Sequence, residues 1–378
     1  MTSVSIGTDK DQMIKAHKKF KIKHMRRTSR IFLNNLNPSK AKITLDFLCK
    51  SRNGIQYFVD VFWQRGDFSS TLADKKTIHQ GIGRMEIPSS RLAQCYAKQA
   101  KEIVRGSVLL KGSKPQVRKH TLTLDNRFIQ IEPFKGHFDY AIKLGGAGVP
   151  KILLPVHSTY HLNEKLEGGW KIGKSIRIGQ INQQIFVDFL LEKPLPPICK
   201  TGKVIGLDSN YKNGLVLSDG QQVGQNLYSK IATFDKRQKH TYQEAKSITF
   251  RAIKQIDLTK VKMLVVEDLR YIRNGTRGKF PRSLNRRLSH WLFNSITNRL
   301  NQRCEKEGIQ LIRKSPWKTS QRCSICGNWD KRNRRSDRFI CIYCGNSDHA
   351  DFNAAKNLEF LGLAGIHSFR LLEKLKTK

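Results

Sequence analysis

The sequence predicts a multidomain chain of mixed α/β plus β class, and three observations carry that reading. Short β-rich runs separated by glycine turns fill residues 116–198. From residue 203 the pattern changes to apolar strands that end in acids, with helical stretches between them. Two cysteine pairs then interrupt that α/β pattern before a last helix. A chain of 378 residues suits two or three domains with ample core.

Residues 13–30 hold eight Lys or Arg. Lys19, Lys21 and Lys23 alternate with Phe20 and Ile22, the pattern of a half-buried strand with a cationic outer face. For residues 1–16 a disordered basic arm is the alternative. Residues 39–66 and 85–106 are expected to be helical. In the second, Arg91, Leu92, Cys95, Tyr96, Gln99, Ile103 and Val104 recur at i, i+3/i+4 after a Pro88-Ser89-Ser90 start. Lys98, Lys101 and Arg105 fall near one side, and a solvated face is the default for them.

Thr121-Leu-Thr-Leu, Phe128-Ile-Gln-Ile, Ile152-Leu-Leu, Ser175-Ile-Arg-Ile and Ile185-Phe-Val-Asp-Phe-Leu-Leu read as strands of a small antiparallel barrel or sheet. Pro194, Pro196 and Pro197 mark a boundary. Val204-Ile-Gly-Leu-Asp208 is then an apolar strand, and Leu215-Val-Leu-Ser-Asp-Gly220 a hairpin with an Asp-Gly turn. A helix is expected over 236–257. Lys262-Met-Leu-Val-Val-Glu267 is a second strand. Leu284, Leu288, Leu292, Ile296, Leu300 and Cys304 mark an amphipathic helix, and Ile309-Gln-Leu-Ile a further strand. A final helix is expected from about Phe352 to Leu363.

Lys and Arg number 70 against 30 acids, a formal net charge of +40 spread along the whole chain. Such a charge repels itself unless a polyanion neutralises it. Nucleic acid is the favoured partner, and a small RNA-coating protein is the bland alternative. No run of about 18 apolar residues is present, so no transmembrane helix and no membrane partner are expected. The first residues lack an apolar signal core, and a cytoplasmic, nucleoid-associated prokaryotic protein is the expectation.

Of the eight cysteines, Cys49, Cys95, Cys199 and Cys304 are scattered and expected to be buried thiols. The other four are paired: Cys323-Ser-Ile-Cys326, fourteen residues, Cys341-Ile-Tyr-Cys344, with Gly327 and Gly345 directly after each pair. Four thiolates suit a tetrahedral Zn²⁺ with no open position, hence a structural site. A pair of redox motifs would need a thioredoxin-like context that is absent. Lys331, Arg332, Arg334, Arg335 and Arg338 between the pairs are expected to touch a phosphate backbone.

Asp208 and Glu267 each end an apolar strand, and Asp351 stands at the mouth of a helix. Taken singly, Asp351 reads as a helix N-cap and Glu267 as a strand-end acid. Together, three carboxylates from separate segments suit hard divalent cations. Two such ions about 4 Å apart can activate water and stabilise the leaving oxygen of a phosphodiester. The chain order fits an RNase H-like sheet. Glu267 and Asp268 point to opposite faces, and periodicity alone does not choose between them.

Thr319-Ser320-Gln321-Arg322-Cys323-Ser324-Ile325-Cys326-Gly327, Cys341-Ile-Tyr-Cys344-Gly345 and Asp351-Phe-Asn-Ala-Ala-Lys-Asn-Leu resemble the C-terminal signature of the TnpB family. These are transposon-encoded RNA-guided nucleases related to compact type V CRISPR effectors. Ile205-Gly206-Leu207-Asp208, Leu217-Ser218-Asp219-Gly220 and Val265-Val266-Glu267-Asp268-Leu269 resemble the first two RuvC motifs, and Pro88–Gln94 a helix of the recognition lobe. Asn210 stands where the family usually has Gly.

The resemblance implies an N-terminal wedge β-barrel with an inserted helical recognition lobe, then a RuvC nuclease domain with an inserted zinc ribbon. On this chain the barrel would occupy 1–38 and 116–200, the lobe 39–115, the nuclease domain 201–316 and 349–378, and the ribbon 317–348. Asp208, Glu267 and Asp351 would be catalytic and bind two Mg²⁺, with Mn²⁺ as the substitute; Cys323, Cys326, Cys341 and Cys344 would hold zinc. A guide RNA and double-stranded target DNA would be the partners of a monomer. Candidates for nucleic-acid contacts are Lys18, Lys19, Lys21, Lys23, Arg26, Arg27, Arg91, Lys98, Arg270, Arg273, Arg334 and Arg335, with Tyr271 and Trp317 as stacking platforms. Core packing is the alternative for Trp317. The rival readings are an RNA-guided repressor that no longer cuts, a DDE-type transposase and a non-enzymatic zinc-ribbon RNA-binding protein.

Overall fold

The structure, a computed structural model, describes residues 24–110, 112–134, 136–210, 213–225, 240–269 and 293–371. Lys18, Lys19, Lys21, Lys23, Arg270, Tyr271, Arg273, Leu284, Leu288 and Leu292, with the expected strand at 19–23, lie outside these residues. The chain divides into two units, Met1–Pro194 and Leu195–Lys378.

The first unit is built on an antiparallel sheet of order β1-β7-β6-β2, comprising β1 (His24–Phe32), β2 (Thr121–Asp125), β6 (Lys171–Ile181) and β7 (Gln184–Pro194). A second sheet joins β3 (Ile129–Pro133), β4 (Tyr140–Leu144) and β5 (Ile152–Val156). Between β1 and β2 run α1 (Pro38–Arg65), α2 (Lys75–Met85) and α3 (Ser90–Leu109). α1 starts where Asn37 accepts a hydrogen bond from the Ser39 amide and Pro38 pre-sets the first turn. It buries Phe47, Leu48, Ile55, Phe58, Val59 and Phe62 along one stripe. The expected start of α3 is present: the Ser89 side chain accepts from the Leu92 amide.

Several features depart from the sequence reading. α2, β4 and a short helix α4 (Tyr160–Glu167) are additional. Lys101, expected on a solvated face, is only 5% exposed. Its ammonium pairs with Asp67 at 2.8 Å, bonds Ser69 Oγ at 3.1 Å and lies 5.0 Å from the Phe62 ring centre. A carboxylate brought in by the loop after α1 makes that burial affordable. Cys49 and Cys199, expected to be buried, are exposed, whereas Cys95 and Cys304 are buried. Cys49 follows Leu48 by one helical step, about 100° away from the buried stripe.

The second unit is a mixed sheet of order β10-β9-β8-β11-β12. Its strands are β8 (Lys203–Asn210), β9 (Gly214–Leu217), β10 (Gln222–Val223), β11 (Val261–Glu267) and β12 (Gln310–Lys314). β8 pairs with β9 antiparallel and with β11 parallel, and β11 with β12 parallel. The Asp-Gly turn stands as expected, with Gly220 at φ 97° and the Gln221 amide donating to Asp219 Oδ1. Helices α5 (His240–Gln255) and α6 (Phe293–Glu307) contribute Ile253, Ile296, Leu300 and Cys304 to one face, with Ile256 just past α5, against Ile205, Leu207, Leu264 and Val266. The other face takes α7 (Ala350–Leu363), where Leu358 packs with Val204 and Val265.

That two-faced burial sorts the acids. Side chains alternate along a strand, so Val204, Gly206 and Asp208 share one face, and Val265 and Glu267 share the same face on β11. Asp268 has the opposite parity. The parallel register sets Gly206 beside Val265 and Leu207 beside Val266, which brings Asp208 and Glu267 to neighbouring strand ends.

Gly206 is what lets α7 lie this close. A Cβ there would stand 1.9 Å from the Ala355 carbonyl oxygen and 2.6 Å from the Glu359 nitrogen. Gly206→Ala is therefore expected to force α7 off the sheet and cost at least about 3 kcal/mol. Thermal denaturation of the full chain reads that loss, and an unchanged melting temperature would reject the close approach. Among the described residues no helix is long and apolar enough to cross a membrane.

Candidate metal centres

The first centre is made by two matching turns. The Gly327 amide donates to the Cys323 carbonyl at 3.0 Å, and the Cys323 amide donates to Asn328 O at 2.8 Å. The Gly345 amide repeats this on Cys341 O at 2.9 Å, and the Cys341 amide on Asn346 O at 2.8 Å. Both glycines sit at positive φ, 74° and 72°, which a side chain would resist. A small sheet of β13 (Arg334–Arg335), β14 (Arg338–Ile340) and β15 (Ser347–His349) carries the second turn. Asn333, 1% exposed, crosses between the turns: its Nδ2 donates to Gln321 O and its Oδ1 accepts from the Ile342 amide.

The four Sγ atoms of Cys323, Cys326, Cys341 and Cys344 all lie within 4.8 Å of one another. Cys323 to Cys344 is 3.7 Å and Cys326 to Cys341 is 3.6 Å. A tetrahedron with Zn–S near 2.3 Å has edges of about 3.8 Å. The donor set therefore fits Zn²⁺ in both chemistry and size. Four protein thiolates fill the coordination sphere, so the centre is suited to holding structure.

The second centre is the carboxylate cluster. Asp208 is 7% exposed and Asp351 fully buried, while Glu267 is half-buried. Burial pushes the Asp208 carboxyl well above the usual range, and Glu267 and Asp351 push it further, with Arg334 opposing. Desolvation raises Glu267 to about 7, helped by Asp351 and opposed by the Thr319 hydrogen bond and Arg334. The three acids are thus close enough to feel one another's charge. They are less tightly gathered than the thiolates: among the described residues only the cysteines satisfy the 4.8 Å spacing.

Asp351 shows why. Arg334 Nη2 donates to its Oδ1 at 3.0 Å, and Asn210 and Asn213 donate to Oδ2 at 2.9 and 2.7 Å. Asp351 is not the helix cap, because His349 takes that place with Nδ1 accepting from the Asp351 amide at 3.3 Å. Its carboxylate is therefore not spent on capping the helix. Clustered carboxylates, with Asp208 and Glu267 raised by desolvation, are what a hard divalent cation compensates, and oxygen donors on three elements fit Mg²⁺ or Mn²⁺.

The basic candidates separate into two groups. Arg26, Arg91, Lys98 and Arg335 are exposed, Arg26 with a salt bridge to Glu192 at 3.0 Å. Arg27 lies over the Trp170 ring. Arg334 departs from expectation, since it turns inward to Asp351 rather than outward to a phosphate. The Lys318 ammonium sits over both Trp317 and Trp329, at 4.1 and 3.4 Å from their ring centres. The sequence reading gave no role to Thr319, Asn213, Asn353 or Asn357. Asn353 and Asn357 carried a usable signal: two amides one turn apart on a helix otherwise apolar enough to be buried.

The Cas12f1-like TNB domain family model matches residues 293–358, which span α6, the cysteine ribbon and the start of α7. The CRISPR-associated endodeoxyribonuclease Cas12f1 of Sulfoacidibacillus thermotolerans is 36% identical over 134 residues, covering 35% of this chain and 28% of that protein. The TnpB-like protein aq_aa05 of Aquifex aeolicus (strain VF5) is 37% identical over 95 residues, covering 24% of this chain and 31% of that one. The matches thus span less than a third of the length of these two curated relatives. A Cas12f1 chain, solved by cryo-EM as a Cas12f1-sgRNA-target DNA complex, superposes with TM-score 0.50 at 13% identity, covering 84% of this chain and 81% of that one.

The fold is thus similar to that of a Cas12f1 chain. The chain carries a Cas12f1-like TNB domain and, over parts of its length, is similar to Cas12f1 and TnpB-like proteins.

Proposed function

We propose that this chain is an RNA-guided, Mg²⁺-dependent DNA endonuclease that cuts with one RuvC-type, RNase H-like site. The observation that carries it is the gathering of Asp208, Glu267 and Asp351 where α7 meets the sheet, with burial and the neighbouring acids raising the Asp208 and Glu267 carboxyls. The net charge of +40 supports a polyanionic partner, and the likeness to a Cas12f1 chain solved with sgRNA and target DNA supports guide RNA and target DNA in that place. Base pairing to the guide would choose the sequence, with the protein reading backbone shape and a short duplex motif. We assign the first unit to the wedge barrel and recognition lobe, the second to the nuclease domain, and residues 317–348 to a structural zinc ribbon. The protein would act as a monomer in the cytoplasm.

Asp208 and Glu267 would hold two divalent ions from the strand ends, and Asp351 from α7. Bound Mg²⁺ would supply Lewis acidity at the scissile phosphate and lower the pKa of water. Arg334 would neutralise excess charge on Asp351 until phosphate and metal replace it. Asn210 and Asn213 orient the Asp351 carboxylate. A repressor that no longer cuts is disfavoured by the survival of all three acids. A DDE transposase is disfavoured by the cysteine ribbon between the second and third.

The test is to co-purify and sequence the bound RNA, then offer duplex DNA matching its variable end. Cleavage is expected in Mg²⁺ and not after Mg²⁺ removal, and Asp208→Ala should retain RNA while losing at least about a thousandfold in rate, equivalent to about 4 kcal/mol of barrier. Guide-dependent binding with no cleavage by the wild-type chain would favour the repressor instead.

A further inference from the structure

We propose that Thr319 and Asn357 are positioning residues: together they tie Glu267 on β11 to α7, the helix that carries Asp351, and so fix where two of the three carboxylates stand. This rests on reading Asp208, Glu267 and Asp351 as a divalent-metal site.

Thr319 lies between β12 and the first cysteine turn and is 1% exposed. Its Oγ1 stands 3.0 Å from Glu267 Oε1 and 3.0 Å from the Pro316 carbonyl. The hydroxyl has one proton to give, and an ionised carboxylate is the stronger acceptor. The backbone of the same residue is held from the other side. Asn357, 3% exposed, donates from Nδ2 to Thr319 O at 2.9 Å and to Arg322 O at 2.7 Å. One turn earlier, the fully buried Asn353 donates to Arg322 O at 2.8 Å and accepts from the Ser324 amide at 2.9 Å.

Segment 319–324 is therefore clamped to α7 by two buried amides and presents a hydroxyl to Glu267. A metal-binding carboxylate has two equivalent oxygens and a free terminal torsion. A donor on one oxygen selects which oxygen faces the ion and stops the rotation. The chain order gives the clamp its purpose. Glu267 and Asp351 come from opposite sides of the cysteine ribbon, and the stem of that ribbon touches both Glu267 and α7.

The experiment measures Mn²⁺ affinity by EPR titration of the zinc-loaded full chain, stripped of nucleic acid by high salt. Thr319→Val keeps the shape and removes the donor; Thr319→Ser keeps the donor. Thr319→Val is expected to bind Mn²⁺ about tenfold more weakly at unchanged zinc content, with Thr319→Ser within about twofold of wild type. Unchanged affinity in Thr319→Val overturns the proposal. So does an equal loss in Thr319→Ser, which would assign the effect to the methyl group. Loss of zinc from Thr319→Val also overturns it, because the hydroxyl would then serve the ribbon. Asp208→Asn separates the two claims: if it binds Mn²⁺ like wild type, the carboxylate site itself is misread, whatever Thr319 does.

Discussion

Asp208→Asn is expected to destroy cleavage and at the same time to stabilise the magnesium-free protein at pH 8. The Asp208 carboxyl is buried and raised well above its ordinary pKa, chiefly by burial and then by Glu267 and Asp351. The folded state therefore binds the proton more tightly than the unfolded chain does. Stability falls as pH rises from the unfolded carboxylate pKa, near 4, through the raised folded values, about 7 for Glu267. At pH 8 the wild type holds uncompensated buried charge unless a divalent ion is present. The amide carries no charge, so the variant should gain roughly 1–3 kcal/mol there. The gain should shrink toward pH 4.5, where the acid is already neutral. Denaturant melts of the zinc-loaded chain at the two pH values, with and without Mg²⁺, check this. A variant less stable than wild type at pH 8 without Mg²⁺ would contradict the buried-charge account.

Cys323→Ser is the second large effect. It removes one of four thiolates from a sphere with no spare ligand, and structural zinc can contribute about 10–16 kcal/mol to folding. Zinc content should drop from one ion per chain to near zero. Limited proteolysis should open residues 317–349 while leaving 24–194 intact. The consequence reaches the carboxylates, because Arg334 and Thr319 both belong to the ribbon or its stem and both touch the acid cluster. Mn²⁺ binding should weaken with the loss of zinc. A protease-resistant ribbon with full zinc content in Cys323→Ser would refute the four-thiolate site.

The local patterns carried much of this into view. The apolar runs 204–208 and 262–267 predict strands, and both are there, with Glu267 closing β11 and Asp208 two residues short of the end of β8. The cysteine spacing predicts the paired turns, and glycine at positive φ follows each. What the sequence left open depends on partners far along the chain. Parity alone put Glu267 and Asp268 on opposite faces; which face is active depends on α7 packing over Val265. Lys101 looked solvated because Asp67, its partner, lies in another segment. Arg334 sits in a run of surface cations, and nothing local marks it as the one that turns toward Asp351. Asn210, where the family usually has Gly, stays in the strand at negative φ and gives its amide to Asp351.

The placement of the cysteine ribbon between Glu267 and α7 has a consequence for synthesis on the ribosome. Domains form as the chain emerges, earliest segments first. A nascent chain paused inside the ribbon already has β8 and β11, with Gly206 and Val265 uncovered where α7 will lie. It lacks Asp351 altogether. Translation must pass the ribbon before the third acid exists, so a product released early lacks one of the three carboxylates and leaves that sheet face uncovered.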